Sequence, residues 1–370
     1  MKNQKKSGIA LVLSIGVIVF ALSVFCWFKP VSEYSDSERR PLAKFPELSW
    51  ENILDTDFMT DFESYTLDQF PLRDGFRAIK VFSELYIFNK SESNDIYIEN
   101  GYVSKVEYPM NNALIENAVN KFEHIIDKFM TNDGVNVYLS IVPDKNYFLA
   151  EENGYPSLDY DLMESIVVEG LEGKAEYIDI FDLLTIEDYY RTDTHWRQEC
   201  IVDVAGALLE AMGAGTTGEY TENTLDAPFN GVYRGQLGLP LKPDSLVYLT
   251  NDVINSCIVT SYDTGKPQAA VMYDMEAANG KDAYEVFVCG ADALVTIENP
   301  NAKTDRELVV FRDSFGASIS PLLCENYAKV TLVDIRYMMS DNVGFFVDFD
   351  NCDVLFLYST LVLNNSSMFK

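Results

Sequence analysis

Between residues 114 and 358 the chain alternates stretches with the apolar spacing of a helix and short runs with the composition of a buried strand. No other feature restricts the fold as much. Leu114, Ile115, Ala118, Phe122, Ile125, Ile126 and Phe129 recur at three- and four-residue intervals, which predicts a helix buried on one face. Gly134 ends it, and Val135–Val142 follows as an apolar strand. A second helix-strand unit runs from Leu158 to Ile180, with its strand at Tyr177–Ile180. A third helix carries Ile201, Val204, Ala205, Leu208, Leu209 and Met212, and Gly213 supplies the stop. Strand 307–312, a helix over 316–326, strand Lys329–Val333 and strand Val354–Tyr358 complete the pattern. Such alternation implies an α/β fold around a central parallel sheet. From 213 to 305 the pattern changes to short runs rich in Gly, Thr, Tyr and Val, with turn signals at Asn230-Gly231, Gly265-Lys266-Pro267 and Asn279-Gly280. This reads as a β-rich insertion that walls a site or binds ligand.

The amino-terminal end is separable from that pattern. Lys2, Lys5 and Lys6 precede an uncharged run from Ser7 to Phe28, about the length that crosses a bilayer as a helix. The positive residues place 1–6 in the cytoplasm, make 7–28 a transmembrane anchor and put the rest outside. No small-x-small cleavage signal follows, which favours an uncleaved anchor, and Ser23-Val24-Phe25 before Cys26 argues against lipoprotein processing. Residues 29–56, with Pro30, Pro41 and Pro46, read as a stem. The folded part is expected over 57–370, beginning with amphipathic helix broken at Pro71.

With 58 acidic against 28 basic residues the net charge is −30, which repels nucleic acid and excludes it as a partner. The two histidines lie 71 positions apart, at 124 and 195, and Cys200, Cys257, Cys289, Cys324 and Cys352 show no CxxC spacing. Neither a metal centre nor a cofactor is expected, and the thiols read as free and buried.

Scarcity of histidine concentrates the chemistry. His124 sits among Lys121, Glu123, Asp127 and Lys128 on the polar side of its helix and reads as solvated. His195 lies in Asp193-Thr194-His195-Trp196, a carboxylate two positions before it, at the expected start of a helix whose dipole would keep the imidazole neutral. Leu308–Arg312 runs as a strand into Asp313-Ser314-Phe315-Gly316, so Ser314 falls where open α/β sheets form ligand crevices. Asp193, His195 and Ser314 make a candidate nucleophilic triad, with Ser314 attacking an acyl carbonyl, His195 taking its proton and Asp193 fixing the tautomer. The amides of Ser314 and Phe315 are the expected oxyanion donors. The plainer reading makes Asp313-Ser314 a helix cap. Arg312 and Lys145 have no assigned role at this level.

These motifs resemble the DHHW family of bacterial membrane-anchored proteins, which is similar to the SGNH-like acetyltransferase domains of alginate acetylation proteins. The resemblance rests on Glu38–Leu42, Gln69–Asp74, Val142-Pro143-Asp144-Lys145, Arg191–Trp196, Phe229-Asn230-Gly231 with Leu239-Pro240, Asp313–Gly316 and Asp334-Ile335-Arg336-Tyr337. It implies an SGNH-like three-layer α/β domain whose serine block comes late in the chain, with Ser314 as nucleophile, His195 as base and Asp193 as its partner. Thr194 replaces the family's first histidine, as in the alginate-type enzymes, and Cys289-Gly290-Ala291-Asp292 stands where relatives carry Gly-Asn. The implied activity is O-acetyl transfer or ester hydrolysis on a cell-surface polysaccharide, outside the bacterial membrane, with a membrane partner that delivers acyl groups. The alternative is a catalytically weak or inactive glycan-binding or scaffold component of an envelope polysaccharide system.

Overall fold

A computed structural model describes residues 2–370, without the side chains of residues 2–7 and Trp27. The chain forms two compact units, Met1–Ser93 with Gly235–Pro240, and Asn94–Arg234 with Leu241–Lys370.

The smaller unit contains α1 (Lys2–Phe28), α2 (Asp57–Asp68) and α3 (Arg73–Phe82). Gly8–Cys26 within α1 is long and apolar enough to cross a membrane. Residues 29–43, expected as the start of a stem, fold back onto α2 and α3 instead. The physical reason is a carboxylate pair facing three arginines. Arg40 makes a two-pronged contact with Asp68 at 2.7 and 2.9 Å, and Glu38 meets Arg73 at 2.6 Å and Arg77 at 3.1 Å. The hydrogen bonds from Arg40 hold the Asp68 carboxyl below its ordinary range.

The larger unit is built around an eight-stranded sheet. In chain order it comprises α4 (Asn112–Phe129), β1 (Asn136–Val142), α5 (Lys145–Asn153), α6 (Tyr160–Gly170), β2 (Glu176–Tyr177), α7 (Val202–Ala211), β3 (Ile258–Ser261), β4 (Gln268–Ala270), β5 (Leu294–Glu298), β6 (Glu307–Arg312), α8 (Phe315–Leu323), β7 (Lys329–Val333) and β8 (Cys352–Ser359). The strand order is β4-β3-β5-β7-β6-β8-β1-β2. The five strands from β7 to β2 are parallel, as the alternation implied. The other three, which lie in the 213–305 region, add on antiparallel beyond β7.

Alternation along each strand feeds two cores. Leu308 and Val310 of β6 join Leu355 and Leu357 of β8 beneath α7 and α8. Val309 and Phe311 join Val354, Phe356 and Tyr358 beneath α4 and α6. The result is the SGNH-like three-layer α/β fold. The chain leaves β1 toward one edge and β6 toward the other, so a crevice opens at the carboxyl ends of β6 and β8.

Candidate active site

Ser314 occupies the turn between β6 and α8, at that crevice. It stands at the N-cap position, but its side chain makes no capping bond. Asp313 does the capping: its Oδ1 accepts from the Phe315 amide at 2.9 Å, while Oδ2 accepts from the Ser359 amide and hydroxyl at 2.8 and 2.6 Å. The turn is thereby fastened to the end of β8, and Ser314 is left free for another partner. Gly316 is required here, because a Cβ would come within 2.5 Å of the Arg312 Cβ.

That partner is His195. Its Nε2 lies 2.8 Å from Ser314 Oγ, and its Nδ1 lies 2.6 Å from Asp193 Oδ1. The three residues separated by up to 121 positions in sequence, 314 against 193, thus form one continuous chain of hydrogen bonds. Asp193 is fully buried and His195 nearly so. The second carboxylate oxygen of Asp193 accepts from the Val232 amide at 2.8 Å.

The loop that carries Asp193 and His195 is closed by a bridge between Tyr189 and Trp196. It does not open a helix. Gln198–Cys200 forms a separate 3-10 turn and α7 starts only at Val202, so the expected dipole at His195 is absent. Side chains hold the loop instead. Asp244 accepts from the Arg191 and Thr192 amides at 2.9 and 2.8 Å and from the Thr192 hydroxyl at 2.6 Å. Beneath it the fully buried Lys145 Nζ donates to the carbonyls of Tyr190, Arg191 and Asp193 at 2.9, 3.1 and 3.0 Å, and also to that of Val103. Burial pulls this ammonium down to about 7, against the negative charges of Asp193 and Asp244, which favour its charged form. Gly231 packs so closely that a Cβ would sit 2.2 Å from the Thr192 backbone, and this approach delivers the Val232 amide to Asp193. Trp196 donates to Ser318 at 2.8 Å, tying the loop to α8.

One face of the imidazole is covered by Tyr284, whose ring lies 3.7 Å away and 8° from parallel. Tyr284, Lys145, Asp244 and the Val232 amide all support the site without having been singled out as its parts by sequence. Lys145 and Gly231 did fall in quoted motifs; Tyr284, one of 22 tyrosines, carried no signal.

The expected oxyanion donors fare differently. The Phe315 amide is committed to Asp313. Asp292, in the segment that replaces Gly-Asn, has its carboxylate engaged by the Ser261 hydroxyl. Arg312 is fully buried beside Asp334, 3.9 Å away, and its Nε has no partner. Burial lowers its pKa. His124 lies on the surface, 2.9 Å from Asp341, far in sequence from any of these residues.

Residues 177–333 match the DHHW protein family. The chain is similar in structure to a DHHW family protein from Eubacterium siraeum DSM 15702, at 21% identity and TM-score 0.60, over 75% of this chain and 95% of that one. It is similar also to Bacillus cereus PatB1, at 20% identity and TM-score 0.61, over 74% of this chain and 98% of the other. A structure of PatB1 with a sulfonyl adduct matches at 19% identity and TM-score 0.58, over 72% and 95% of the two chains. No curated protein sequence matches the chain. The stretch that matches this family, residues 177–333, is the one that holds Asp193, His195 and Ser314.

Proposed function

We propose that the protein is a serine-dependent O-acyltransferase or esterase, with acetyl as the group handled and a cell-surface polysaccharide as its substrate. The observation that carries this reading is the unbroken chain from Ser314 Oγ through His195 to Asp193, with distances of 2.8 and 2.6 Å. His195 Nε2 takes the hydroxyl proton as Oγ bonds to the acyl carbon. Asp193 accepts from Nδ1–H and stabilises the imidazolium. Collapse of the tetrahedral species returns the proton from Nε2 to the leaving oxygen and leaves acetyl on Ser314. A sugar hydroxyl or water then attacks, with His195 again as base. The α1 helix serves as a single-pass anchor that keeps the larger unit outside the cell membrane, where an acyl-donor partner in the membrane would supply the group.

The second reading is a glycan-binding or scaffold component with little turnover. Two features favour it: the Phe315 amide is a donor already committed to Asp313, and Asp292 presents a carboxylate, an acceptor that accepts from Ser261, in place of an oxyanion donor.

Intact-mass measurement of the full chain in detergent, after brief exposure to p-nitrophenyl acetate, separates the two. The first reading expects one acetyl on the wild type and none on Ser314→Ala or His195→Ala. It also expects hydrolysis of that ester to fall by a factor on the order of 10⁴ in both variants. A folded wild-type protein with neither adduct nor turnover would leave the scaffold reading.

A further inference from the structure

The α3 helix of the smaller unit is turned inside out. α3 continues without a break into the π-helical turn Ser83–Ile87. Leu72, Phe76, Ile79, Phe82 and Tyr86 succeed one another at three- and four-residue intervals along it, and their exposures are 73, 45, 63, 51 and 59%. On the opposite side Val81 is buried, and the side chains of Arg73, Arg77 and Glu84 are only 17, 18 and 17% exposed. Those charges are spent inside the unit: both arginines on Glu38, and Glu84 on Lys90 and Ser93 at 2.9 and 2.6 Å. A helix at a water-facing surface has the reverse polarity. A stripe of large apolar side chains of this length exceeds what a soluble monomer normally leaves to water.

Chain connectivity says what lies against it. Ser32 is fixed to Gln69 by two hydrogen bonds, amide to Oε1 at 3.0 Å and Nε2 to carbonyl at 2.7 Å. Only Lys29, Pro30 and Val31 separate this clamp from Phe28, the end of α1, a reach of at most about 14 Å. Gln69 in turn is three positions from Leu72, where the stripe begins. The end of the anchor therefore keeps the stripe close to the bilayer surface in every copy, and the bilayer is the apolar phase that the tether guarantees within reach.

We infer that the Leu72–Tyr86 stripe is a second membrane contact, lying in the headgroup and upper acyl region of the outer leaflet, so that the smaller unit rests on the bilayer. The inference depends on reading α1 as an anchor. Lys80, half exposed beside the stripe, pairs with Glu84 at 3.5 Å. Leu48, Trp50 and Leu54, at 73, 83 and 78% exposure, give the same unit further apolar surface of the kind that interfaces favour.

The test is photocrosslinking of the full chain in phosphatidylglycerol–phosphatidylethanolamine vesicles, with p-benzoylphenylalanine replacing Phe76, Ile79 or Tyr86 one at a time, and Phe20 as the anchor control. All four side chains are exposed, so the replacements leave the unit folded. Phospholipid adducts at the three stripe positions as well as at position 20 are expected. Lipid at 20 with crosslinks between copies, or with no adduct, at the stripe would overturn the inference and leave the anchor standing. Absence of lipid at 20 would remove the anchor and the inference together.

Discussion

Tyr284 lies flat against His195, ring centroids 3.7 Å apart, and its hydroxyl donates to Ser318 at 2.8 Å, the same oxygen that accepts from Trp196. The imidazole is thereby fixed from two directions, by Asp193 along its edge and by a stacked ring across its face. The stack holds the ring plane, on which the line from Nε2 to Ser314 Oγ depends.

Removing the ring while keeping the rest of the site should therefore loosen that line. Tyr284→Ala is expected to lower kcat/KM for ester hydrolysis by about 30-fold, whereas Tyr284→Phe, which keeps the stack and loses only the bond to Ser318, stays within about threefold of wild type. Steady-state kinetics on the two variants, with circular dichroism to confirm folding, check this. Equal losses in both would assign the effect to the hydroxyl instead.

How much of this was legible follows from where each signal resides. The strands at 307–312 and 329–333 announce themselves as apolar runs between turn residues, and both form at those positions. α5 was missed because Tyr147, Phe148, Leu149 and Ala150 run together without helical gaps. The N-cap Asp144 and the left-handed Gly154 at its end were the only local marks. β3, β4 and β5 read as an insertion because strands of three to five residues give little period, and the sheet edge they join is a long-range choice. Asp193, His195 and Ser314 stood out through the scarcity of histidine and the strand-to-helix turn, and the fold brings them together. Tyr284 and Lys145 did not stand out, because a stacking ring and a buried ammonium are defined by what surrounds them, and their surroundings come from residues 42 to 89 positions away.

Lys145 offers a second prediction. Its ammonium gathers four carbonyls, three of them on the loop that presents Asp193 and His195. Lys145→Met keeps the apolar stem and leaves those oxygens without donors in a buried place. A loss of about 3 kcal/mol in unfolding free energy is expected, together with a fall in kcat that exceeds any change in KM, because the loop positions the base and not the substrate. A variant as stable as wild type would mean that water replaces the ammonium. Lower stability with unchanged kcat would limit Lys145 to the fold.

Glu107 predicts a pH dependence of stability that is independent of the site. Burial pushes its carboxyl up from an ordinary 4.5 to about 7, and Lys105, at 3.5 Å, only partly offsets this. In the unfolded chain the group releases its proton near 4.5, whereas the folded protein holds it to about 7. Between those values the folded state binds more protons, so raising the pH favours unfolding. The contribution is fully present below about 4.5 and lost as the pH rises through 7, with a cost on the order of 3 kcal/mol at pH 8. Glu107→Gln keeps the shape and removes the titration. Thermal midpoints of the detergent-solubilised protein should thus coincide for wild type and variant near pH 4.5 and separate by several degrees at pH 8, the variant being the more stable. Midpoints that run parallel across this range would mean that the folded carboxyl ionises at its ordinary value, with Lys105 compensating its burial in full.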